Sequence, residues 1–215
     1  MNPPSANPNK ALWEKGDFTR IATSMRESGA TLIKSLGVTK GLTVLDLGCG
    51  DGTTAIPAAQ LGADVLGVDI ARNLVEAGNR RAQEMGLSNC RFQEGDATDL
   101  HGLKDQTFDL VVSIFGAMFA PKPFDVAKQM VRVTKPGARI VMGNWIPNDP
   151  TLVAQILKIS GLFLALVFAG STRLIVGGVR ISSGGSARGR AAGHASDDNG
   201  SVSQDLFEPA IPFGL

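Results

Sequence analysis

Short apolar runs alternate with amphipathic stretches along most of this sequence. The runs predict strands, because a short, mostly apolar segment bounded by glycine or polar residues is typical of a buried strand. Five such strands are predicted, at Thr43–Leu47, Asp64–Val68, Cys90–Gln93, Phe108–Phe115 and Ala138–Gly143. A sixth candidate strand lies at Leu174–Val179.

Between the runs, apolar residues recur at the spacing of a helix that buries one face. This spacing predicts helices over Asp17–Leu36, Thr54–Leu61, Asn73–Met85 and Phe124–Thr134. Three of these predicted helices are followed by residues that end a helix, namely Gly37, Gly86 and the segment Lys135-Pro136-Gly137. Strands that alternate with helices in this way imply right-handed crossovers. They predict an α/β fold, a doubly wound, mostly parallel sheet with helices on both faces.

Composition divides the chain into three parts. Residues 1–16 begin with a Pro- and Asn-rich stretch that we expect to form a loose arm. Residues 17–160 carry the alternating pattern and form the predicted domain. Residues 161–215 are first apolar and then, from Ser182 to Ser203, rich in Gly, Ser, Ala and Arg. We expect this tail to be disordered, because it buries too little apolar surface to order itself.

Composition also limits the classes of partner. The chain has 215 residues, 43% hydrophobic and 19% charged, which is normal for one soluble globular domain. Its formal net charge of +1 gives no strong attraction to nucleic acid or a membrane surface, so a small molecule is the expected partner. Cys49 and Cys90 have neither metal-ligand spacing nor a disulfide framework, and no signal peptide is recognisable. We expect a cytoplasmic protein without a metal; its oligomeric state stays open.

One segment is apolar enough to be a candidate membrane span. Ile159–Val179 is mostly apolar, but its uninterrupted run, Ile159–Gly170, is shorter than the roughly 18 residues that a spanning helix needs. A longer segment includes Arg173, which costs about 3 kcal/mol near the centre of a membrane. We therefore expect no stable membrane insertion.

A glycine-rich turn follows the first predicted strand, in the segment Val44-Leu45-Asp46-Leu47-Gly48-Cys49-Gly50-Asp51-Gly52. Glycines permit positive φ angles and let a ligand lie against bare backbone. Thr54 is a candidate N-cap for the next helix. Pro57 then falls at the third helical position, where a backbone N–H would have no intrahelical partner. Such a turn is typical of nucleotide sites but also occurs in structural loops.

Three carboxylates near the turn narrow the class of ligand that it is expected to bind. Asp46, Asp69 and Asp96 lie at the carboxyl ends of three consecutive predicted strands, and Asp69 follows Gly50 by 19 residues. An acid at the position of Asp69 is suited to accept the hydroxyls of a ribose. Asp96 could accept the amino group of an adenine. Three carboxylates would repel the phosphates of a dinucleotide or triphosphate, so we expect a nucleoside ligand that carries positive charge.

These residues, within a stretch from about Trp13 to Ile159, resemble the class I S-adenosylmethionine-dependent methyltransferases. The resemblance is strongest to the broad group that includes the ubiquinone and menaquinone C-methyltransferases. It implies a Rossmann-like fold, with the glycine loop holding the methionine portion of S-adenosylmethionine. It also implies that Asp69 binds ribose and that Asp96 with Ala97 holds adenine. The implied cofactor-binding residues are Trp13, Phe18, Asp46, Gly48, Cys49, Gly50, Gly52, Asp69, Ile70, Asp96, Ala97, Ser113 and Phe115.

Some implied roles have alternatives. Ser113 and Phe115 lie at the carboxyl end of the fourth strand and would line the methyl-donating end. Trp13 and Phe18 lie in a segment that resembles the family's N-terminal lid and would cover the cofactor; each could instead anchor the first helix in the core. No catalytic base is assigned, and His101 is expected to be a structural hydrogen-bonding residue.

The chain departs from the family pattern after Ile159. Family members complete the sheet with two further strands, the last antiparallel, whereas the tail here aligns with nothing recognisable. We therefore expect a sheet that is incomplete at its C-terminal strands. One hypothesis is that the segment from about Gly161 is a natural truncation or a frame-shifted reading of the gene.

The favoured function is transfer of a methyl group from S-adenosylmethionine to an unidentified small molecule. A non-catalytic S-adenosylmethionine-binding remnant is the main alternative, because of the unusual tail. A nicotinamide-dependent oxidoreductase would have glycine at position 53, where this chain has threonine. An RNA or protein methyltransferase is also possible, although the neutral charge argues against RNA.

Overall fold

A computed structural model describes Asn7, residues 9–144 and the backbone of a strand at Gly178–Arg180. The helices are α1 (Lys10–Lys15), α2 (Phe18–Ser35), α3 (Ala55–Gln60), α4 (Arg72–Glu84) and α5 (Pro123–Val133). The strands are β1 (Thr43–Leu47), β2 (Asp64–Asp69), β3 (Cys90–Glu94), β4 (Phe108–Ile114), β5 (Thr134–Gly143) and β6 (Gly178–Arg180). A short 3-10 helix covers Ala117–Phe119.

The strands form one sheet with the order β3-β2-β1-β4-β5-β6. The first five strands are parallel, which confirms the predicted doubly wound α/β fold. Strand order reverses between β1 and β4, the neighbours at the centre of the sheet. Open α/β sheets bind ligands in the crevice at the carboxyl ends of the strands beside such a switch point. The loops after β1 and β4 meet there.

The sheet buries apolar side chains on both faces. Residues alternate between faces along β1, because successive side chains in a strand point to opposite sides. Val44 joins a cluster with residues of α2, α3 and α4, while Leu45 and Leu47 join a second cluster with α5. All three are fully buried. The near-continuous apolar runs of the sequence thus mark a sheet covered on both sides.

Two boundaries differ from the sequence-based predictions. A helix that the sequence analysis did not predict, α1, begins at Lys10, after the Pro- and Asn-rich stretch, most of which lies outside the described residues; Asn7 makes contacts with the domain. Helix α5 ends at Val133, and β5 begins directly at Thr134 instead of at Ala138. The segment Lys135-Pro136-Gly137 therefore ends the helix, as predicted, but lies within the strand. The pairing register between β4 and β5 shifts there.

The sixth strand pairs antiparallel with β5, where Val179 lies opposite Ile140. It covers Gly178–Arg180, so it overlaps the candidate Leu174–Val179 by two residues. Residues 178–180 of the tail, for which we expected disorder, thus form a strand. The rest of that candidate and the predicted disorder of the remainder of 161–215 concern residues outside the described part of the chain, and the hypothesis of a truncated or frame-shifted tail stays untested. Within the described part, no helix is long and apolar enough to cross a membrane.

Candidate functional site

The glycine loop joins β1 to α3 at the carboxyl edge of the sheet. Its three glycines have positive φ angles, 65° at Gly48, 54° at Gly50 and 90° at Gly52. A Cβ on Gly48 would lie 2.6 Å from the Cα of Gly116, so the loops after β1 and β4 touch backbone to backbone. A Cβ on Gly50 would meet nothing within 4 Å. Gly50 therefore faces open space, where a ligand can approach the bare main chain.

Asp69 ends β2 and faces the same space. One carboxylate oxygen accepts a hydrogen bond from the backbone N–H of Gly50 at 2.8 Å, and the other accepts from the N–H of Ala71 at 2.9 Å. Burial raises the pKa of Asp69, while these backbone donors act in the opposite direction. The two N–H groups fix the carboxylate beside the loop and leave lone pairs for a ligand's hydroxyl groups.

Asp46 does not lie in the lip with the other acids, contrary to the sequence-based expectation. Its side chain is 1% exposed and does not line the cavity. Alternation along β1 turns it toward the same face as Val44, beneath the glycine loop. The hydroxyl of Thr54 donates a hydrogen bond to its Oδ2, so Thr54 occupies the N-cap position without capping the helix by its side chain. Its Oδ1 has no partner among the described residues.

The buried position of Asp46 changes its charge. Desolvation raises its pKa to about 7, opposed by the Thr54 hydrogen bond and reinforced by the nearby carboxylate of Asp69. Burial disfavours the ionised form because a charge loses its hydration. Near neutral pH this acid is therefore poised between its protonated and ionised forms.

Asp96 follows β3 at the opposite side of the cavity. Its Oδ1 accepts hydrogen bonds from the backbone N–H of Thr98 at 2.9 Å and from the Thr98 hydroxyl at 2.8 Å. Its Oδ2 accepts a hydrogen bond from the amide Nδ2 of Asn7 at 2.9 Å. An amide N–H donor thus already lies at the carboxylate that we expect to receive an adenine amino group. Ala97 lines the cavity next to it.

Hydrogen bonds at the carboxyl end of β4 connect the loop after β4 to the loop after β1. The buried hydroxyl of Ser113 donates to the carbonyl of Leu47 at 2.7 Å and accepts from the N–H of Ala117 at 2.9 Å. Ser113 therefore lies beneath the site and does not line the cavity. Phe115 does line it, and its φ of 55° is a strained conformation for a residue with a bulky side chain.

Helix α1 covers one side of the cavity. The Trp13 ring packs against Phe18 and Phe119, with ring centroids 4.9 and 5.1 Å apart. All three side chains line the cavity. The Trp13 ring thus lies at the cavity and joins the N-terminal segment to the loop after β4, and its covering of a cofactor stays a prediction.

Polar contacts attach α1 to the rest of the domain. The Lys10 ammonium pairs with the Glu94 carboxylate and thereby lowers the pKa of that carboxyl. The backbone N–H of Arg72 donates to the Glu14 carboxylate at 3.2 Å. No residue of α1 is buried. A segment held by one ion pair, a few hydrogen bonds and one aromatic cluster is suited to open and close, since a solvent-accessible ion pair contributes little.

An ion-pair cluster joins the glycine loop to α2 and α4. The sequence analysis did not predict it. Asp51 is 1% exposed and contacts Arg26 of α2 at 3.0 Å and Arg81 of α4 at 3.2 Å. The pairs join residues 25 and 30 positions apart, so no local pattern signals them. The two guanidinium groups compensate the buried carboxylate. They also fix α2 and α4 to the loop.

The cavity lining has a polar end and an apolar end. Ten of the thirteen predicted cofactor-binding residues line it, and Asp46, Gly52 and Ser113 do not. Gly52 instead lies against the Phe92 ring, where a Cβ would come within 2.6 Å. Beyond the loop, the lining includes apolar residues that the sequence did not single out, namely Ile21, Ala22, Met25, Phe119 and Ala120. The cavity thus runs from a polar end near the glycine loop to an apolar wall formed by α2 and the 3-10 helix.

Two further expectations concern histidine and metal. His101 is exposed and hydrogen-bonds Asp99 through Nδ1 at 2.9 Å, away from the cavity. In the described part of the chain, no group of His, Cys, Asp and Glu side chains is arranged to hold a metal ion.

Comparisons with known proteins relate this chain to methyltransferases. Residues 38–159, more than half of the chain, match a family model described as a methyltransferase domain. An uncharacterised protein of Mycobacterium tuberculosis is 36% identical over 138 residues, 64% of this chain and 50% of that protein. The demethylmenaquinone methyltransferase of Renibacterium salmoninarum is 33% identical over 140 residues, 64% of this chain and 56% of that enzyme. The chain spans about half the length of these curated relatives.

A solved structure shares the fold. A SAM-dependent methyltransferase from Aquifex aeolicus superposes with a TM-score of 0.51 at 22% identity, over 62% of this chain and 78% of that one. The exposed main chain at Gly50 and the fixed carboxylate of Asp69 favour a ligand with hydroxyl groups and positive charge.

Proposed function

Because the chain belongs to the class I S-adenosylmethionine-dependent methyltransferases, we propose that it transfers the cofactor's methyl group to a small-molecule acceptor. The observation that carries this proposal is the continuous cavity between the glycine loop and the apolar wall. A cofactor bound along the loop would present its methyl group toward that wall, next to Phe115 and Phe119. The wall offers contact to an apolar acceptor. The low net charge fits a small molecule better than nucleic acid.

The proposal assigns the cofactor to the residues around the polar end. Main-chain groups of Gly48, Cys49 and Gly50 would lie along the methionine portion. Asp69, with Ile70 beside it, would accept the ribose hydroxyls, and Asp96 with Ala97 would hold the adenine. Trp13 and Phe18 would cover the bound molecule from α1. Each of these residues lines the cavity.

When bound, the cofactor supplies an activated methyl group, which an acceptor nucleophile takes by in-line displacement at the carbon–sulfur bond. The protein then contributes alignment and exclusion of water. Phe115 and Phe119 form the walls that set the line of approach. The α1 segment closes the cavity against solvent through Trp13. The titratable side chains lining the cavity, within the described residues, are Asp51, Asp69, Asp96 and Cys49.

This lining bears on the acceptor. Asp51 is bound by two arginines, and burial raises the pKa of Cys49 well above its usual range. Neither group is suited to remove a proton at the apolar wall. The proposal therefore favours an acceptor that is already nucleophilic, such as a carbon next to an ionised phenol. The buried, free Cys49 and Cys90 fit a reducing compartment, and we place the enzyme in the cytoplasm.

Transfer of labelled methyl groups tests this proposal. The full chain would be incubated with methyl-labelled S-adenosylmethionine and, separately, with small-molecule, RNA and protein fractions of a bacterial extract. We expect label in the small-molecule fraction, and none when Asp69 is replaced by alanine. Label in RNA or protein would contradict the acceptor class. Absence of transfer to every fraction, with cofactor binding intact, would favour the non-catalytic alternative.

A further inference from the structure

The N-terminal segment contributes an amide group to the cavity at Asp96. The side-chain amide nitrogen of Asn7 donates a hydrogen bond to Asp96 Oδ2 at 2.9 Å, although the two residues are 89 positions apart in the sequence. Both residues line the cavity, as does Ala97. The proposed function gives Asp96 and Ala97 to the adenine and assigns no role to Asn7.

The orientation of the Asn7 amide is fixed by its two partners. Its Oδ1 accepts a hydrogen bond from the backbone N–H of Asn9 at 3.0 Å, while its Nδ2 donates to the carboxylate of Asp96. A backbone N–H is matched only by the oxygen of the amide, and a carboxylate oxygen is matched only by its NH2 group. The amide therefore cannot turn around without losing both hydrogen bonds.

Asn9 anchors this arrangement to the loop after β4. Its Nδ2 donates to the carbonyl of Phe119 at 2.8 Å, and its own carbonyl accepts from the backbone N–H of Trp13 at 3.0 Å in the first turn of α1. Asn9 and Phe119 line the cavity as well. The two asparagines thus join the loop after β3 to the 3-10 helix after β4, and the fold itself sets the position of Asn7.

Asn7 and Asp96 have hydrogen-bonding capacity left for a ligand. An amide NH2 group has two N–H donors, and the single bond that Nδ2 makes to the described residues uses one of them. Asp96 Oδ1 already accepts two hydrogen bonds from Thr98, whereas Oδ2 accepts one and has a second lone pair. Among the described residues, one donor on Asn7 and one acceptor site on Asp96 therefore remain unused next to each other.

A donor beside an acceptor matches the edge of an adenine. The exocyclic amino group of adenine donates hydrogen bonds, and the ring nitrogens on either side of it, N1 and N7, accept them. Asp96 would accept from the amino group, and Asn7 would donate to one of the ring nitrogens. Guanine and hypoxanthine have a carbonyl oxygen in place of the amino group, and that oxygen would face the carboxylate.

Resting on the proposed function, we propose that Asn7 is a second adenine-binding residue, which donates a hydrogen bond to a ring nitrogen beside the amino group held by Asp96. The N-terminal segment thereby takes part in recognising the base. Cofactor binding adds one bond to this segment and leaves its bonds to Asp96 and Phe119 in place. The bound adenine therefore also fastens α1, the helix that places Trp13 at the cavity.

Deaza analogues of S-adenosylhomocysteine test the proposal, because each replaces one ring nitrogen with C–H and keeps the amino group. S-adenosylhomocysteine and its 1-deaza and 7-deaza analogues would be titrated by calorimetry into the full wild-type chain and into Asn7→Leu. Leucine is similar in size to asparagine but donates no hydrogen bond. In the wild type, we expect at least one analogue to bind about tenfold more weakly than S-adenosylhomocysteine, the effect of one lost hydrogen bond. In Asn7→Leu, S-adenosylhomocysteine itself should bind about tenfold more weakly, and its advantage over that analogue should vanish.

Two further variants separate contact with the base from attachment of the segment. Glu14→Ala removes the contact between α1 and the backbone N–H of Arg72 but keeps the Asn7 amide, so it is the matched control. It should keep the wild-type difference between the ligands. Asn7→Ala removes the amide without filling its space and should give the same ligand order as Asn7→Leu, which covers the case in which leucine disturbs the segment.

The results separate this inference from the proposed function. Equal binding of all three ligands by the wild type, or a difference that persists in Asn7→Leu and Asn7→Ala, would overturn the inference and leave cofactor binding intact. Tighter binding of S-adenosylhomocysteine by Asn7→Leu would also overturn it, because Asn7 would then compete with the adenine for Asp96. A folded wild type that binds neither S-adenosylmethionine nor S-adenosylhomocysteine would contradict the proposed function itself, and the inference with it.

Discussion

Asp46 shows how the position of a single residue sets its charge. In the unfolded chain its pKa is near 3.8, and burial in the folded chain raises the pKa to about 7. Between these values the folded chain holds a proton that the unfolded chain has lost. The free energy of unfolding therefore falls as pH rises from about 4 to about 7. Above about pH 7, the contribution of Asp46 to this free energy no longer changes.

This argument predicts the pH dependence of an Asp46→Asn variant. The wild type should lose up to about 3 kcal/mol of stability between pH 5 and 8 from this residue, because only the two pH units below its folded pKa of about 7 contribute, at 1.36 kcal/mol each. The variant should lose clearly less, because asparagine has no charge to bury. Urea unfolding followed by circular dichroism at each pH measures the difference. Parallel curves for the wild type and Asp46→Asn, with Asp64→Asn at the exposed start of β2 as the control, would contradict the argument.

The glycines of the loop give a second prediction for single residues. Gly48→Ala combines a positive φ with a Cβ at 2.6 Å from the Cα of Gly116, so the two loops would have to separate. Gly50→Ala has the positive φ alone, which costs about 1–2 kcal/mol. We expect Gly48→Ala to lower the free energy of unfolding by clearly more than Gly50→Ala. Chemical denaturation of both variants checks this order, and equal losses would show that the loops are not in tight contact.

Among the elements, α1 contributes an aromatic side chain to the cavity although it is weakly attached to the rest of the domain. It buries none of its residues, yet it places Trp13 against Phe18 and Phe119 at the cavity. Trp13→Ala should therefore weaken cofactor binding about tenfold while changing the melting temperature of the ligand-free protein little. Leu12→Ala is the control, because Leu12 is on the same helix and 53% exposed. Surface plasmon resonance should show faster dissociation for Trp13→Ala alone; identical dissociation rates for the two variants would exclude a covering role.

The elements also show what the sequence could predict. The strands were found because their apolar runs are local and are bounded by glycine or polar residues. Helix α1 was not found, because its few apolar residues contact other elements and leave no buried stripe of its own. The start of β5 was placed too late, since Pro136 and Gly137 signal the end of a helix but also fit a strand with a register shift.

The same reasoning applies to the site. The glycine loop, Asp69 and Asp96 were predictable because each follows a recognisable strand. The burial of Asp46 is also present in the sequence, because alternation along β1 puts it on the same face as the core residue Val44 and not at the edge of the sheet. The partners of Asp51 were not predictable, because Arg26 and Arg81 come from two separate helices. Tertiary packing alone brings those charges together.

At the scale of the whole molecule, the described domain is a scaffold whose proposed cofactor site lies at the switch point of the sheet. A ligand that binds the folded state alone stabilises it by mass action. At 100 times its dissociation constant, S-adenosylmethionine should add about 2.7 kcal/mol to the free energy of unfolding. Thermal melts at increasing cofactor concentration measure this shift. A melting temperature that is unchanged by either cofactor form would contradict specific binding to the folded chain.

The most direct test of the central claim is calorimetric binding of S-adenosylmethionine and S-adenosylhomocysteine to the wild type and to Asp69→Ala. Asp99→Ala is the control, because Asp99 also follows β3 closely but is exposed and outside the cavity. The account predicts saturable one-site binding to the wild type and to Asp99→Ala, and a loss of about 10- to 100-fold in affinity for Asp69→Ala. A folded wild type that binds neither molecule, or a folded Asp69→Ala that binds as tightly as the wild type, would contradict it.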